Sequence, residues 1–219
     1  MSARVDAVLA GLRAAATPEE HAKVRRRVGG RSELVVGVRM RDVFALATAH
    51  RDAGLDEVAE LLDQPWYEVR VVAVSILDAK ARSRRATQSD RAAWASLYLA
   101  GHDRIDTWDL VDRAAPRVVG GWLLGETDRS VLDRLARSAA PMERRTAITA
   151  CFWLVRHGEL DDALRVAALL VDDPEHLVLT NVGVALREVG RRDPGRRDAF
   201  LARHGTGLPA AIRRTALSR

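Results

Sequence analysis

The stretch "DQPWYEVRVVAVSILDAKA", residues 63–81, decides the fold. A proline-marked turn leads into an acid, Glu68, and then into a run of small and β-branched residues at helical spacing. Proline suits the entry to a helix because its φ is preset and its missing N–H would have no partner there. An acid in the first turn meets the positive end of the helix dipole. Two later stretches share the frame, "SAAPMERRTAITACFWLVRHG" (138–158) and "VDDPEHLVLTNVGVALREVG" (171–190). The recurring unit is a helix pair joined by a short turn, repeating roughly every 35–45 residues. Neither helix of such a pair can bury its apolar face alone, so successive pairs stack.

Most of the remaining chain reads at the same period. "RVDAVLAGLRAA" (4–15) aligns Val5, Val8, Leu9 and Leu12 on one stripe. In "TPEEHAKVRRRV" (17–28), Thr17 is placed as N-cap and Pro18 at the first helical position. "RDVFALATAHRDAG" (41–54) and "LDEVAELLDQ" (55–64) read as two helices, with Gly54 as the stop of the first. The one short β-branched run is "SELVVGVRM" (32–40), approached through a loop, "VGGRS" (28–32). The Glu-Val-Arg in "YEVRVVAVSIL" (67–77) resembles the second-helix pattern of HEAT repeats. The expected fold is all-α, a curved α-solenoid of HEAT-like antiparallel helix pairs with a concave surface. With no low-complexity linker, one domain is expected over residues 1–219.

Composition narrows the function classes. Of 219 residues, 47% are hydrophobic and 30% charged, a globular rather than a disordered balance. No apolar run approaches the ~18 residues of a membrane span, and the first twenty residues lack a targeting pattern. A cytoplasmic, monomeric protein is expected. A single cysteine, Cys151, excludes an internal disulfide and any multi-cysteine metal site. No metal or other cofactor is expected. The net charge of +5 is unevenly spread: residues 1–41 carry +5, residues 187–219 carry +6, and the middle carries −6. Basic ends suit a polyanion such as DNA; solvated helix faces on an arginine-rich chain would give the same pattern.

Several constellations carry no chemistry. "HGE" (157–159) has the His-x-Glu of zinc deaminases but lacks the Pro-Cys-x-x-Cys partner, and reads as a helix end. Gly120, Gly121 and Gly125 follow no strand and match no phosphate loop, so they read as close packing or a turn. Cys151, in the apolar "ITACFWLV" (148–155), reads as core, as do Trp66, Trp94, Trp122 and Trp153. Trp108 and Asp112 differ. They stand four apart in "TWDLVD" (107–112), one turn apart on one helical face. Alone, that spacing also fits a core tryptophan beside a salt-bridging carboxylate.

The blocks "LDQPWYEVR" (62–70), "TWDLVD" (107–112), "ERRTAI" (143–148) and "ALRE" (185–188), in this order, resemble the AlkD-type DNA alkylation repair family of HEAT-like DNA glycosylases. The likeness runs from about residue 20 to residue 217. It implies an α-solenoid that cradles double-stranded DNA in its concave face and excises N3- or N7-alkylated purines. It places the family's functional tryptophan on Trp108 and its essential aspartate on Asp112. Its DNA-contacting arginine falls on Arg145, the second of the pair in "ERRTAI"; neighbouring Arg144, and Arg187 in "ALRE", are further DNA-binding candidates. Two aromatic walls are absent: Val184 stands where the family often has tryptophan, and only Val24 or Val28 stands where a tyrosine is common.

The chemistry agrees with these residue types. Cleaving a purine N-glycosidic bond develops positive charge on the sugar. An alkylated purine is already cationic and leaves readily, so one carboxylate, Asp112, suffices to stabilise the sugar cation and orient water. Trp108 would pack on the deoxyribose. With only Lys23 and Lys80 as lysines, neither at the functional positions, a Schiff-base lyase is disfavoured and a monofunctional hydrolase expected. Other readings stay open at this point: a non-catalytic HEAT-like module that binds nucleic acid or a protein, or a pure scaffold.

Overall fold

A computed structural model of the chain describes residues 2–29 and 34–218. Among these residues are thirteen α-helices, one 3-10 turn and no strand. The all-α fold of antiparallel helix pairs expected from the periodicity is what forms. By packing, the chain divides into two units, residues 1–114 and 115–219.

In the first unit, α1 (Ala3–Ala15), α2 (Pro18–Val28), α3 (Met40–Ala49), α4 (Leu55–Leu62), α5 (Tyr67–Ala81) and α6 (Gln88–Ala100) precede the 3-10 turn His102–Arg104. α5 is the centre. Every residue from Tyr67 to Asp78 is buried, and α3, α4, α1 and α6 pack around it. A helix apolar on nearly all faces must be enclosed, and this one is. The α1 stripe of Val5, Val8, Leu9 and Leu12 is buried as expected. Thr17 caps α2, its hydroxyl accepting from Glu20 N at 3.2 Å.

Two local expectations change. Gly54 does not end α3, which stops at Ala49 with His50 as its C-cap. Gly54 instead opens α4 as N-cap, and Glu57 reaches back to accept its N–H at 2.8 Å. With φ −67° and ψ 165°, Gly54 has extended backbone, not the left-handed conformation of a helix stop. The β-branched run forms no strand over its described part, residues 34–40, although Leu34 makes an isolated bridge to Trp66. Its first two residues, and Gly30 to Ser32 of the adjoining loop, lie outside the described residues. Without a second strand its N–H groups need another acceptor. Buried Glu68 provides it, accepting from Val36 N at 2.9 Å, Gly37 N at 2.8 Å and Val38 N at 3.4 Å. Gly37 has φ +95°, and a Cβ there would lie 2.6 Å from His21 Cα, so only glycine fits.

Helix α7 (Trp108–Leu123) crosses the boundary between the units. The second unit continues with α8 (Ser130–Ala136), α9 (Pro141–Arg156), α10 (Asp161–Leu170), α11 (His176–Arg192), α12 (Pro194–His204) and α13 (Ala210–Leu217). α9, α11 and α13 form one row, each packed on the next. α8 and α10 lie against α9, and α10 and α12 against α11, as a second row. Gly120 allows close approach: a Cβ there would overlap the carbonyl oxygen of Ala150. His157 and Gly158 (φ +90°) end α9.

Cys151 is fully buried, and burial pushes its thiol well above its ordinary range. The four other tryptophans correct the core expectation, since all are half-buried. Trp153 lies between Arg117 (4.9 Å) and Arg156 (5.4 Å), and Trp66 under Arg13 (5.7 Å). Trp122 donates to Glu126 Oε1 at 2.8 Å. Large amphipathic rings serve here at the core's edge, where a cation or carboxylate meets them. Among the described residues, no helix is long and apolar enough to cross a membrane.

Candidate active site

Trp108 is the first residue of α7 and is 39% exposed, one of few large apolar side chains so open. Asp112, one turn on, is half-buried. The helix spacing therefore puts an accessible indole and a partly desolvated carboxylate on one face, which is the arrangement the motif predicted.

The polar residues around this pair make a denser set than the sequence suggested. Asp109 accepts from Thr107 Oγ1 at 2.6 Å and from Leu110 N at 3.1 Å. Its other oxygen accepts from the Tyr67 hydroxyl. Arg27 donates to that hydroxyl at 2.9 Å, covers the Tyr67 ring at 5.6 Å, and stands 3.8 Å from the Asp109 carboxylate. Burial, with the Asp109 charge adding to it, pushes the Tyr67 phenol far up, so it stays a donor. Nearby, Arg70 donates to Arg104 O at 3.0 Å and lies 3.3 Å from Asp106. Burial raises the Asp106 carboxyl against the pull of Arg70. Arg113, beside Asp112 in sequence, lies over Phe44 at 4.4 Å, donates to Ser75 Oγ at 3.1 Å and stands 3.6 Å from buried Asp78.

The predicted arginines belong to the second unit. Arg144 forms a bidentate pair with buried Asp173 at 2.6 and 3.0 Å and donates to the carbonyls of Ser138 and Ala139, each at 3.0 Å. Its hydrogen bonds to Asp173 raise the guanidinium further. Arg145 is 3% exposed and donates to the carbonyl of Leu177. Alongside, Asn181 donates to Thr149 Oγ1 at 2.7 Å, a second polar tie between α9 and α11. Arg187 is more open, its side chain 28% exposed and 3.1 Å from Glu188.

Val184 lines an open cleft of about 470 Å3 with Phe152, Val155, Arg156, Glu188 and Arg192. The smaller residue at this position leaves space beside an aromatic ring and two cations. Val24 and Val28 are buried core residues of α2. Tyr67, Asp109 and Arg27 were missed by sequence reading. The available signal was the first aspartate of "TWDLVD" and the tyrosine of "LDQPWYEVR"; nothing in the sequence singles out Arg27 from its neighbouring arginines. Among the described residues, no group of three or more His, Cys, Asp or Glu side chains is arranged to hold a metal.

No curated protein matches the chain. A solved structure titled a predicted DNA alkylation repair enzyme, from Enterococcus faecalis, is similar to it with a TM-score of 0.71 and 15% identity. That likeness covers 92% of this chain and 94% of the other, and at such identity it speaks for the fold alone. The family model described as DNA alkylation repair enzyme matches residues 8–219. The chain belongs to the DNA alkylation repair enzyme family.

Proposed function

We propose that the protein is a monofunctional DNA glycosylase that hydrolyses the N-glycosidic bond of cationic N3- or N7-alkylated purines in duplex DNA. The observation that carries this reading is the pairing of a 39%-exposed Trp108 with a half-buried Asp112 one turn along α7 in a member of a DNA alkylation repair family. A partly desolvated carboxylate interacts more strongly with a developing sugar cation than one in bulk water. Asp112 stabilises that cation and orients the attacking water, while the Trp108 ring packs on the deoxyribose and excludes solvent. The base leaves with the bonding pair, neutralising its own charge; water adds its hydroxyl at the sugar carbon, and the proton it loses passes by way of the Asp112 carboxylate to solvent.

The DNA backbone is the second element. Arg187 is the most open of the three arginines and is assigned a direct phosphate contact. Arg144 and Arg145 are held by Asp173 and by the Leu177 carbonyl, so they meet phosphate only by exchanging those partners. Valine at position 184, where the family often has tryptophan, supports acceptance of bulky adducts as well as methyl groups.

The test is mass spectrometry of bases released from duplexes carrying methyl and bulky N3-adenine adducts. Wild type should release alkylpurine and leave an abasic site in an intact strand. Asp112→Asn should lower the rate by about 10²-fold or more with DNA affinity nearly unchanged. Equal release by wild type and Asp112→Asn would remove Asp112 from the mechanism. Salt-dependent DNA binding with no release would replace the enzyme reading by a binding module.

A further inference from the structure

We infer that Tyr67, Asp109 and Arg27 are positioning residues that fix how α7 presents Trp108 and Asp112. The inference rests on the proposed glycosylase reading for its consequence, and on the geometry of the first unit for its substance.

Asp109 is the residue after Trp108, about 100° further round the helix. Its contact with Tyr67 shows that this direction faces α5. A clamp at that angle sets the roll of α7 about its own axis, and with it the direction in which residues 108 and 112 point. One carboxylate gathers a phenol, a threonine hydroxyl and a backbone N–H, with a guanidinium at 3.8 Å. Such charge-assisted bonds are the stronger kind, and in a partly buried site they reinforce one another. Tyr67 is fully buried and so touches no DNA; its action passes through Asp109.

A second brace limits sliding along the axis. Arg70, three residues after Tyr67 on α5, holds the Arg104 carbonyl and Asp106 just ahead of α7. The block "LDQPWYEVR" therefore meets "TWDLVD" through Tyr67 and Asp109, and the residues just ahead of it through Arg70. The helix's own ladder is weak at this place. Pro116 has no N–H, so the Asp112 carbonyl cannot receive the usual bond from four residues on. External support from α5 compensates for that missing rung.

The experiment compares wild type with Tyr67→Phe, Arg27→Gln and, as a control outside the cluster, Tyr98→Phe. Three quantities are read: the single-turnover rate of 7-methylguanine release at saturating enzyme, the Kd for the same duplex, and acrylamide quenching of Trp108. Quenching is taken as the difference between each protein and its Trp108→Phe counterpart. Tyr67→Phe should lower the rate by about 10-fold, leave Kd within about twofold of wild type, and raise the quenching of Trp108. Arg27→Gln, at a side chain 35% exposed, tests the same cluster without touching the core and should shift rate and quenching in the same direction. Tyr98→Phe should change neither. Wild-type rate and wild-type quenching in both cluster variants would overturn the inference. Absent release by wild type would instead sink the glycosylase reading, while quenching would still decide whether the mount holds α7.

Discussion

At the scale of single residues, Gly120 shows how packing can reverse an intrinsic preference. Replacing a mid-helix glycine with alanine ordinarily gains about 0.5–1 kcal/mol. Here the added Cβ would overlap the Ala150 carbonyl and lie 2.9 Å from Trp153 Cβ. Backbone cannot yield as a flexible side chain does, so overpacking dominates, with a cost of about 1–3 kcal/mol. Gly120→Ala should accordingly lower the urea midpoint with an unchanged m-value; a midpoint equal to or above wild type would show that α7 and α9 separate freely. The sequence left this glycine as close packing or a turn, because it followed no strand and fitted no phosphate loop, and its place inside α7 against α9 decides for packing. Trp108 and Asp112 were legible for a similarly local reason, since i and i+4 share a face whatever the tertiary structure. Tyr67 and Asp109 lie 42 residues apart. No periodicity connects them, and only the folded chain shows that the two motifs touch.

At the scale of elements, helix existence was readable and helix edges were less so. The stripes of α1, α5, α9 and α11 follow from apolar spacing alone. Gly54 was misplaced because a glycine between helices can end one or begin the next, and Glu57 decides between them. The 34–40 run looked strand-like because β-branched residues carry that signal, yet a lone strand has no ladder, and Glu68 takes its N–H groups. Ion pairs between elements were not readable at all, and those joining α8 and α10 carry a testable consequence. Arg129 bridges Asp162 at 2.7 Å and also meets Glu159, while Arg165 pairs with Asp162 and Asp133. Burial alone would raise the Asp162 carboxyl, but the hydrogen bonds from Arg129 and Arg165 outweigh it and hold it below the ordinary 3.8. A carboxylate depressed in the folded state contributes stability that is fully present above its unfolded value and is lost as pH falls through its folded one. Asp162→Asn should therefore destabilise by about 2 kcal/mol near neutrality. The gap between variant and wild type should close as pH drops below 3.8, measured by denaturant titration across that range. A gap independent of pH would assign the loss to packing rather than charge.

At the scale of the whole molecule, the charge distribution bounds how DNA is held. Residues 1–41 and 187–219 each contain nine lysines and arginines. If all of them met phosphates, the logarithm of DNA affinity would fall against the logarithm of salt with a slope near about −16. The structure argues for a much smaller value, because many of these cations already have partners. Arg4 pairs with Asp52 and Glu57, Lys23 with Glu19 and Glu20, and Arg27 with the Tyr67–Asp109 cluster. In the C-terminal segment, Arg191 pairs with Glu188, Arg196 with Asp161 and Arg197 with Asp198. Arg203, Arg213 and Arg214 form no ion pair among the described residues. The expected slope is accordingly about −3 to −6, set by the cations that need not abandon a carboxylate. Arg187 is bound to Glu188 yet more open than Arg144 or Arg145, so Arg187→Ala should weaken binding uniformly across sequences and reduce the slope by about 1. Fluorescence anisotropy on one duplex between 50 and 200 mM salt, a range over which such slopes are resolved, measures both. An unchanged slope in Arg187→Ala would mean that its guanidinium stays with Glu188 in the complex, and that the phosphate contact belongs to another arginine.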